Sequence, residues 1–300
     1  MRILLLGANG QVGTECQRSL APLGECVLAT RNGVLADGRP CEVADLDQPA
    51  SLHALVMRVA PDVVVNAAAY TAVDKAESDS EAAFRANAES PAVIAAACRE
   101  LDAYLVHYST DYVFDGQGDH PYRPDEATSP LGVYGVSKRD GEVAIRESGC
   151  PHAILRTAWV YAHHGKNFML TMLRLANERD ELRVVGDQEG TPTPAALIAD
   201  VTALIVARAN RPTGTWHLTP HGKTTWHGFA EAIIQHGLDS GLLKKQVVVT
   251  PIPSTDFPTP AKRPAWSVLD ITSLEQDWEV SLPDWRSGLD AAFHALHPRA

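Results

Sequence analysis

Short apolar runs alternate with longer amphipathic stretches through the first half of the chain. Residues 2–6, 26–29, 62–66 and 104–108 are apolar runs bounded by polar, Gly or Pro positions and predict strands, whereas 52–59 and 82–101 predict helices. Strands that are apolar throughout and joined by helices predict a parallel sheet covered on both faces, a doubly wound α/β architecture. Pro91 interrupts the longest helical stretch and predicts a kink there. Beyond about residue 160 the pattern loosens. Prolines gather at 192 and 194 and again between 251 and 264, flanking helical stretches at 196–209 and 226–237. This divides the chain into a first domain, 1–160, to which later segments can return, and a smaller C-terminal lobe, 161–300. No internal repeat or low-complexity tract suggests a solenoid or fibre.

Composition narrows the class further. At 45% hydrophobic and 21% charged, the 300 residues have a globular balance, and no run approaches the length of a membrane span. With no leader-like segment at its start, the chain is read as cytoplasmic. Its net charge of −11 argues against charge-driven binding to nucleic acid or an anionic membrane, so an anionic ligand needs a local cationic site. Five cysteines form no CxxC pair, which favours neither a disulfide framework nor a zinc cage. His163-His164 and the His217/His221 pair raise the question of a metal, but Pro220 and Gly222 spoil the second as a helical ligand pair.

The chemistry-bearing motifs begin at the first strand. It runs into GANGQVG at residues 7–13 and then a helical segment. Gly7, Gly10 and Gly13 allow a tight turn, backbone approach to a pyrophosphate and close helix packing, with Asn9, Gln11 and Val12 between them; together these predict a Rossmann-type dinucleotide site. The second strand ends on Ala29-Thr30-Arg31. A cation there, instead of an acid, favours NADPH over NADH, although an exposed arginine would look the same in sequence. Asp45 and Leu46 are placed at the adenine edge, and the small residues Ala67, Ala68 and Ala69 end another strand where a flat ligand can lie close. Tyr134 and Lys138 are four apart and so share a helix face, where the lysine charge would lower the phenol pKa and prepare a proton donor. Alone, such a pair is common on amphipathic helices; the glycine-rich strand before it gives it weight.

Taken in order, these motifs are similar to the short-chain dehydrogenase/reductase superfamily. The wording of GANGQVG (7–13), NAAAYTAV (66–73), STDYVFDG (109–116), VYGVSK (133–138), RTAWVY (156–161), DQEGTPT (187–193) and the stretch 258–270 resembles the dTDP-4-dehydrorhamnose reductases, over nearly the whole chain. The resemblance implies hydride delivery from NADPH, with NADH possible, to C4 of dTDP-4-dehydro-β-L-rhamnose. It assigns Tyr134 as proton donor, Lys138 as the residue that holds the nicotinamide ribose and tunes Tyr134, and Thr110 as a hydrogen-bond partner of the carbonyl oxygen. By the same resemblance Asp111 and Tyr112 contact the sugar, Trp159 packs on its ring, and Asn167, Phe168, Gln188, Lys262 and Arg263 hold thymidine and diphosphate. Read by themselves, Tyr112 and Trp159 suit a core and Asp111 a turn.

Two departures matter. Where the family has Asn in RPxNSxL, this chain reads Arg263-Pro264-Ala265-Trp266-Ser267-Val268-Leu269. Where some members carry a carboxylate for a metal-linked dimer, Pro194-Ala195-Ala196 has none, so no metal is expected, although Glu15 is available; a monomer or homodimer is expected. Two other readings stay open at this point. One is a sugar-nucleotide epimerase or dehydratase with tightly held NAD, against which Arg31 argues. The other is a silent dinucleotide-binding subunit that regulates methionine adenosyltransferase, against which the Thr110, Tyr134 and Lys138 set argues.

Overall fold

The structure, a computed structural model, describes residues 1–296; residues 297–300, the end of the lobe expected at 161–300, lie outside the described residues. The chain begins with β1 (Arg2–Leu6), α1 (Gln11–Leu20), β2 (Glu25–Thr30), β3 (Glu42–Val43), α2 (Pro49–Val59) and β4 (Val63–Asn66). The short helices α3 (Val73–Ala76) and α4 (Ser80–Phe84) lead to α5 (Ser90–Leu101), β5 (Tyr104–Thr110), α6 (Val133–Ser148) and β6 (His152–Thr157). After β7 (Val160–Tyr161) come α7 (Phe168–Glu178), β8 (Glu181–Val185), β9 (Glu189–Gly190), β10 (Thr193–Pro194), α8 (Ala195–Ala207) and β11 (Gly214–His217). The last elements are β12 (Thr224–Thr225), α9 (Trp226–Asp239), β13 (Val248–Ile252), α10 (Thr272–Trp278) and α11 (Trp285–Leu296).

Seven strands form one parallel sheet in the order β11-β6-β5-β4-β1-β2-β3. The strand period of two divides each apolar run between its faces. Ile3, Leu5, Val63, Val65, Val106 and Leu155 meet Cys16 and Leu20 of α1 and Ile198 and Ile205 of α8. Leu4, Leu6, Val64, Leu105 and Ile154 meet Leu52 and Val56 of α2 and Ile94 and Cys98 of α5. This is the doubly wound α/β sheet that the periodicity predicts. α8, β11 and α10 lie in its layers although they follow β7 in the chain, with Trp278 of α10 in the same core as Trp216 of β11.

A third apolar cluster joins α7, β8, α9 and α11 through Met169, Leu173, Leu182, Phe229, Ile233, Trp285 and Leu289. Three two-stranded pairings, β7 with β10, β8 with β13 and β9 with β12, carry the chain around it.

The interruption expected at Pro91 takes the form of a π-helical turn, Arg85–Glu89, just before it. Asn87 in that turn is buried, and its side chain accepts from Tyr70 N and donates to Tyr70 O and Ser137 Oγ, at 2.9, 3.0 and 3.1 Å. The π turn thus ties the chain after β4 to α6. All five cysteines are free thiols.

Candidate active site

At the carboxyl ends of β1, β4, β5 and β6 the chain surrounds a cavity of about 780 Å³. Ligands in open α/β sheets bind on this side, where the strand order reverses. Its first wall is the β1–α1 turn. Gly7 has φ +78°, and a Cβ on it would sit 2.7 Å from Ala68 N; a Cβ on Gly13 would overlap the Gly7 carbonyl oxygen. The turn therefore presents bare backbone to Gly10, Gln11 and Val12 along the cavity, and the N-terminus of α1 carries no side-chain cap. Uncapped N–H groups and the helix dipole suit a pyrophosphate. Ala67, Ala68 and Ala69 line the facing wall. Asn9 turns away from the cavity, donating to Val34 O and accepting from Ala36 N, both at 2.9 Å. Gly13 likewise acts through packing and not as part of the lining.

Arg31 stands at the cavity rim with its side chain 69% exposed, between Asp45 and Asp47, each 3.4 Å from a guanidinium nitrogen. It can meet a phosphate without desolvation, and the two aspartates hold it in place. Asp45 itself is outside the lining, whereas its neighbours Ala44 and Leu46 are part of it.

The strand ends and α6 bring Thr110, Asp111, Tyr112, Tyr134 and Lys138 into the same cavity. The Thr110 hydroxyl donates to Asp111 Oδ1 at 2.9 Å and accepts the Tyr112 N–H at 3.2 Å. Tyr112 stands edge-on to Tyr134, ring centroids 5.6 Å apart. Burial pushes the Asp111 carboxyl up to about 6, against the Thr110 hydrogen bond, which lowers it. Burial likewise raises the Tyr134 phenol, the reverse of the direction expected from its spacing to Lys138. The Asp111 carboxyl and the Tyr112 phenol act in the same sense as burial. Burial pushes Lys138 down to about 8, and its Nζ is occupied by the Tyr108 carbonyl at 2.7 Å and His107 Nε2 at 3.2 Å.

Across the cavity, Trp159 stacks on Trp226 with ring centroids 3.7 Å apart and 10° between planes, and Phe168 lies behind Trp226 at 4.7 Å. Both tryptophans line the cavity and Phe168 does not. Asn167 is also outside the lining. It caps α7 by accepting from Leu170 N at 3.0 Å and donates to Gln11 Oε1 at 2.9 Å, joining the lobe to α1. Gln188 is buried and donates to Ser254 Oγ at 2.9 Å. Of the adjacent cations, Arg263 lines the cavity and pairs with Asp74 at 2.9 Å, whereas Lys262 is exposed and does not.

Four buried polar atoms of cavity residues have no partner among the described residues: Ser109 Oγ, Asp111 Oδ2, Thr157 Oγ1 and Arg263 Nε. Buried polar groups are ordinarily paired, so this set suits a ligand rich in hydroxyl and phosphate oxygens. Sequence reasoning missed Ser109, Thr157, Lys166 and Trp226. The first two carried a usable signal, hydroxyls at the carboxyl ends of otherwise apolar strands; Trp226, the first residue of a helix, carried none. Away from the cavity lining, Glu15, His163 and His164 place one ligand atom each within 4.8 Å of one another, Glu15 Oε1 being 2.9 Å from His164 Nε2.

Comparison with known proteins places this geometry among relatives. The family model described as RmlD substrate binding domain matches residues 1–297. The chain is 47% identical to the dTDP-4-dehydrorhamnose reductase of Burkholderia thailandensis, covering 95% of this chain and 96% of that one. It is 44% identical to the enzyme of the same name from Escherichia coli K12, covering 99% and 98%. Among solved structures, dTDP-4-dehydrorhamnose reductase from Bacillus anthracis, in complex with NADP, superposes with a TM-score of 0.88 at 30% identity over 98% of this chain and 99% of that one.

Proposed function

From the premise that the chain belongs to the dTDP-4-dehydrorhamnose reductase family, we propose that it reduces the C4 ketone of dTDP-4-dehydro-β-L-rhamnose to dTDP-L-rhamnose with NADPH, the last step in making that nucleotide sugar. One observation carries the reading: Thr110, Tyr134 and Lys138 face the same cavity as the bare Gly7–Gly10 turn and Arg31. The cofactor of the Bacillus anthracis relative is NADP, and the residues here fit it. The uncapped start of α1 suits its pyrophosphate, Arg31 its 2′-phosphate, and Leu46 and Ala67–Ala69 its flat rings. When bound, the reduced nicotinamide supplies the hydride.

The chain's own residues do the rest. Tyr134, held as a phenol by burial, donates its proton to the oxygen that develops negative charge. Thr110 places a hydroxyl beside that oxygen. Asp111 Oδ2, Ser109 and Thr157 offer unpaired polar atoms to sugar hydroxyls, and the Trp159–Trp226 stack offers an apolar wall to a sugar ring or base. Arg263 and Lys166 supply positive charge for the diphosphate within a chain of net charge −11. Residues 1–160 are taken as the dinucleotide-binding part, with α8 and β11 joining it, and the segment from 161 as the part that closes over the sugar nucleotide.

The test supplies dTDP-4-dehydro-β-L-rhamnose with NADPH or NADH, follows loss of the reduced-nicotinamide absorbance, and identifies the product by mass. Formation of dTDP-rhamnose with NADPH supports the reading. Absence of turnover by protein that binds NADPH would overturn the substrate assignment.

A further inference from the structure

Between β7 and α7 the chain reads His163-His164-Gly165-Lys166-Asn167, and the proposed chemistry leaves both histidines unused. In an extended chain adjacent side chains point apart. Here both imidazoles turn to one carboxylate, that of Glu15 on α1: His164 Nε2 is 2.9 Å and His163 Nδ1 3.7 Å from the same oxygen, Oε1. The shape of the loop explains the convergence. Gly165 turns with φ +76°, and Asn167 Nδ2 reaches the carbonyls of Ala162 and His164 at 2.8 and 3.0 Å, closing the loop on itself. Glu15 is buried, while the two rings stand perpendicular, centroids 4.8 Å apart, and are partly open to solvent.

A hydrogen bond to Glu15 accounts for His164 alone. At 3.7 Å His163 Nδ1 is too far to make a second one. A metal ion uses all three groups. Ligand atoms bound to a tetrahedral ion at 2.0–2.2 Å stand about 3.3 Å from one another, and the two Glu15 distances fall on either side of that value. The three atoms lie within 4.8 Å of one another, and rotation of two partly exposed rings closes the remainder. The donors also choose the metal. Mg²⁺ and Ca²⁺ take oxygen shells, whereas two imidazoles and a carboxylate suit Zn²⁺, Co²⁺, Ni²⁺ or Cu²⁺. Arg18 opposes a cation, but its Nε lies 3.5 Å from Glu15 Oε2, the oxygen that the imidazoles leave, and Asp200 holds its guanidinium at 2.8 Å.

We propose that Glu15, His163 and His164 of a single chain form a binding site for a divalent transition metal of the zinc class, with water completing its shell from the solvent side. Unlike the carboxylate set that Pro194-Ala195-Ala196 lacks, these donors are rich in nitrogen and come from one chain. The site's role is to pin residues 163–167 to α1. That loop sends Lys166 into the cavity lining, and Asn167 donates to Gln11 of the same lining, so the ion steadies the junction between the lobe and the start of α1. It stands apart from Thr110, Tyr134 and Lys138, and the inference does not depend on the reductase reading.

The test titrates the EDTA-treated full chain with Co²⁺ and then Zn²⁺. One Co²⁺ per chain should give the visible absorption of a four- or five-coordinate site; Zn²⁺ should bleach it and excess Mg²⁺ should not. Outer partners of a metal site are worth about ten- to a hundredfold in affinity, so loss of a ligand should weaken binding by at least about 100-fold. His163→Gln, His164→Gln and Glu15→Gln should each lose the band, whereas His221→Gln, in the exposed His221–Glu275 pair, should keep it. No band in the wild type overturns the proposal, as does a full band in the His163→Gln/His164→Gln double variant, which would assign the ion to others of the twelve histidines. A mass that doubles as the band appears would show ligands shared between two copies and overturns the one-chain site. Should the variants fail to fold, zinc-edge X-ray absorption on the wild type decides: two imidazoles with oxygen are expected, and any other imidazole count overturns the proposal.

Discussion

Asp111 accepts the Thr110 hydroxyl on Oδ1 at 2.9 Å and leaves Oδ2 buried without a partner among the described residues. One oxygen is satisfied by the strand that positions the site, and the other waits for a donor. The consequence is measurable in stability as well as in binding, since a half-satisfied carboxylate in a buried place resists ionisation.

Asp111 is held at about 6 against an ordinary 3.8, with burial as the main cause. The folded protein therefore binds a proton that the unfolded chain has lost between pH 4 and 6, and stability falls as pH rises through that window. The two values differ enough for a cost of about 3 kcal/mol at neutral pH. Asp111→Asn, which does not titrate, should match the wild type near pH 4 and exceed it in stability at pH 7, while KM for the nucleotide sugar rises. Denaturant titrations at the two pH values check this; equal differences at both would show that Asp111 is ionised in the folded protein.

Tyr134 faces the cavity edge-on to Tyr112, and burial favours its phenol form. Tyr134→Phe keeps the ring and its packing but removes the proton, so kcat should fall by about 10²- to 10⁴-fold while NADPH binding is retained. Stopped-flow reduction and a fluorescence titration of NADPH separate the two quantities. A variant that turns over at the wild-type rate would remove Tyr134 as the donor.

How far the sequence reveals this arrangement depends on what determines each part. β1 and β4 are legible because a strand covered on both faces must be apolar throughout, and Leu4 and Leu5 each bury on opposite sides. The Gly7 turn is legible because backbone crowding by Ala68 excludes a side chain. Lys262 and Arg263 show the limit. Adjacent cations read alike, but only Arg263 turns inward, where Asp74 from the distant α3 meets it. Asn167 has the look of a ligand contact, yet its side chain serves a helix cap and Gln11, a local demand that any polar N-cap residue satisfies. The upward direction at Tyr134 is hidden for a similar reason, because spacing places Lys138 on its face but says nothing of how deeply the phenol is buried.

Arg31 is exposed and held by Asp45 and Asp47, so its removal should disturb the fold little. A charge-assisted contact to a 2′-phosphate is lost with it, and the two carboxylates left behind repel the same phosphate. Arg31→Ala should weaken NADPH by about tenfold or more, with a much smaller effect on NADH, which has no phosphate there. The ratio of kcat/KM for the two cofactors measures it. Equal losses with both would return Arg31 to the role of a surface residue.

Trp226 supports Trp159 face to face, 3.7 Å between centroids, at the start of α9, where Thr225 caps the helix by accepting from Gly228 N. The arrangement holds Trp159 in the left-handed backbone region, φ +48°, where a bulky residue is rare and neighbouring structure must compensate. Trp226→Ala removes the support and opens a space beside the cavity, so Trp159 loses its fixed orientation. The dinucleotide wall is built from other elements and is untouched. KM for the sugar nucleotide should rise about tenfold, in line with the worth of an aromatic pair, and the NADPH affinity should stay at the wild-type value. Trp226→Phe restores a flat partner and should recover most of the loss. If Phe and Ala variants were equally impaired, stacking would not be the feature that matters; if NADPH binding fell as well, Trp226 would belong to both ligands.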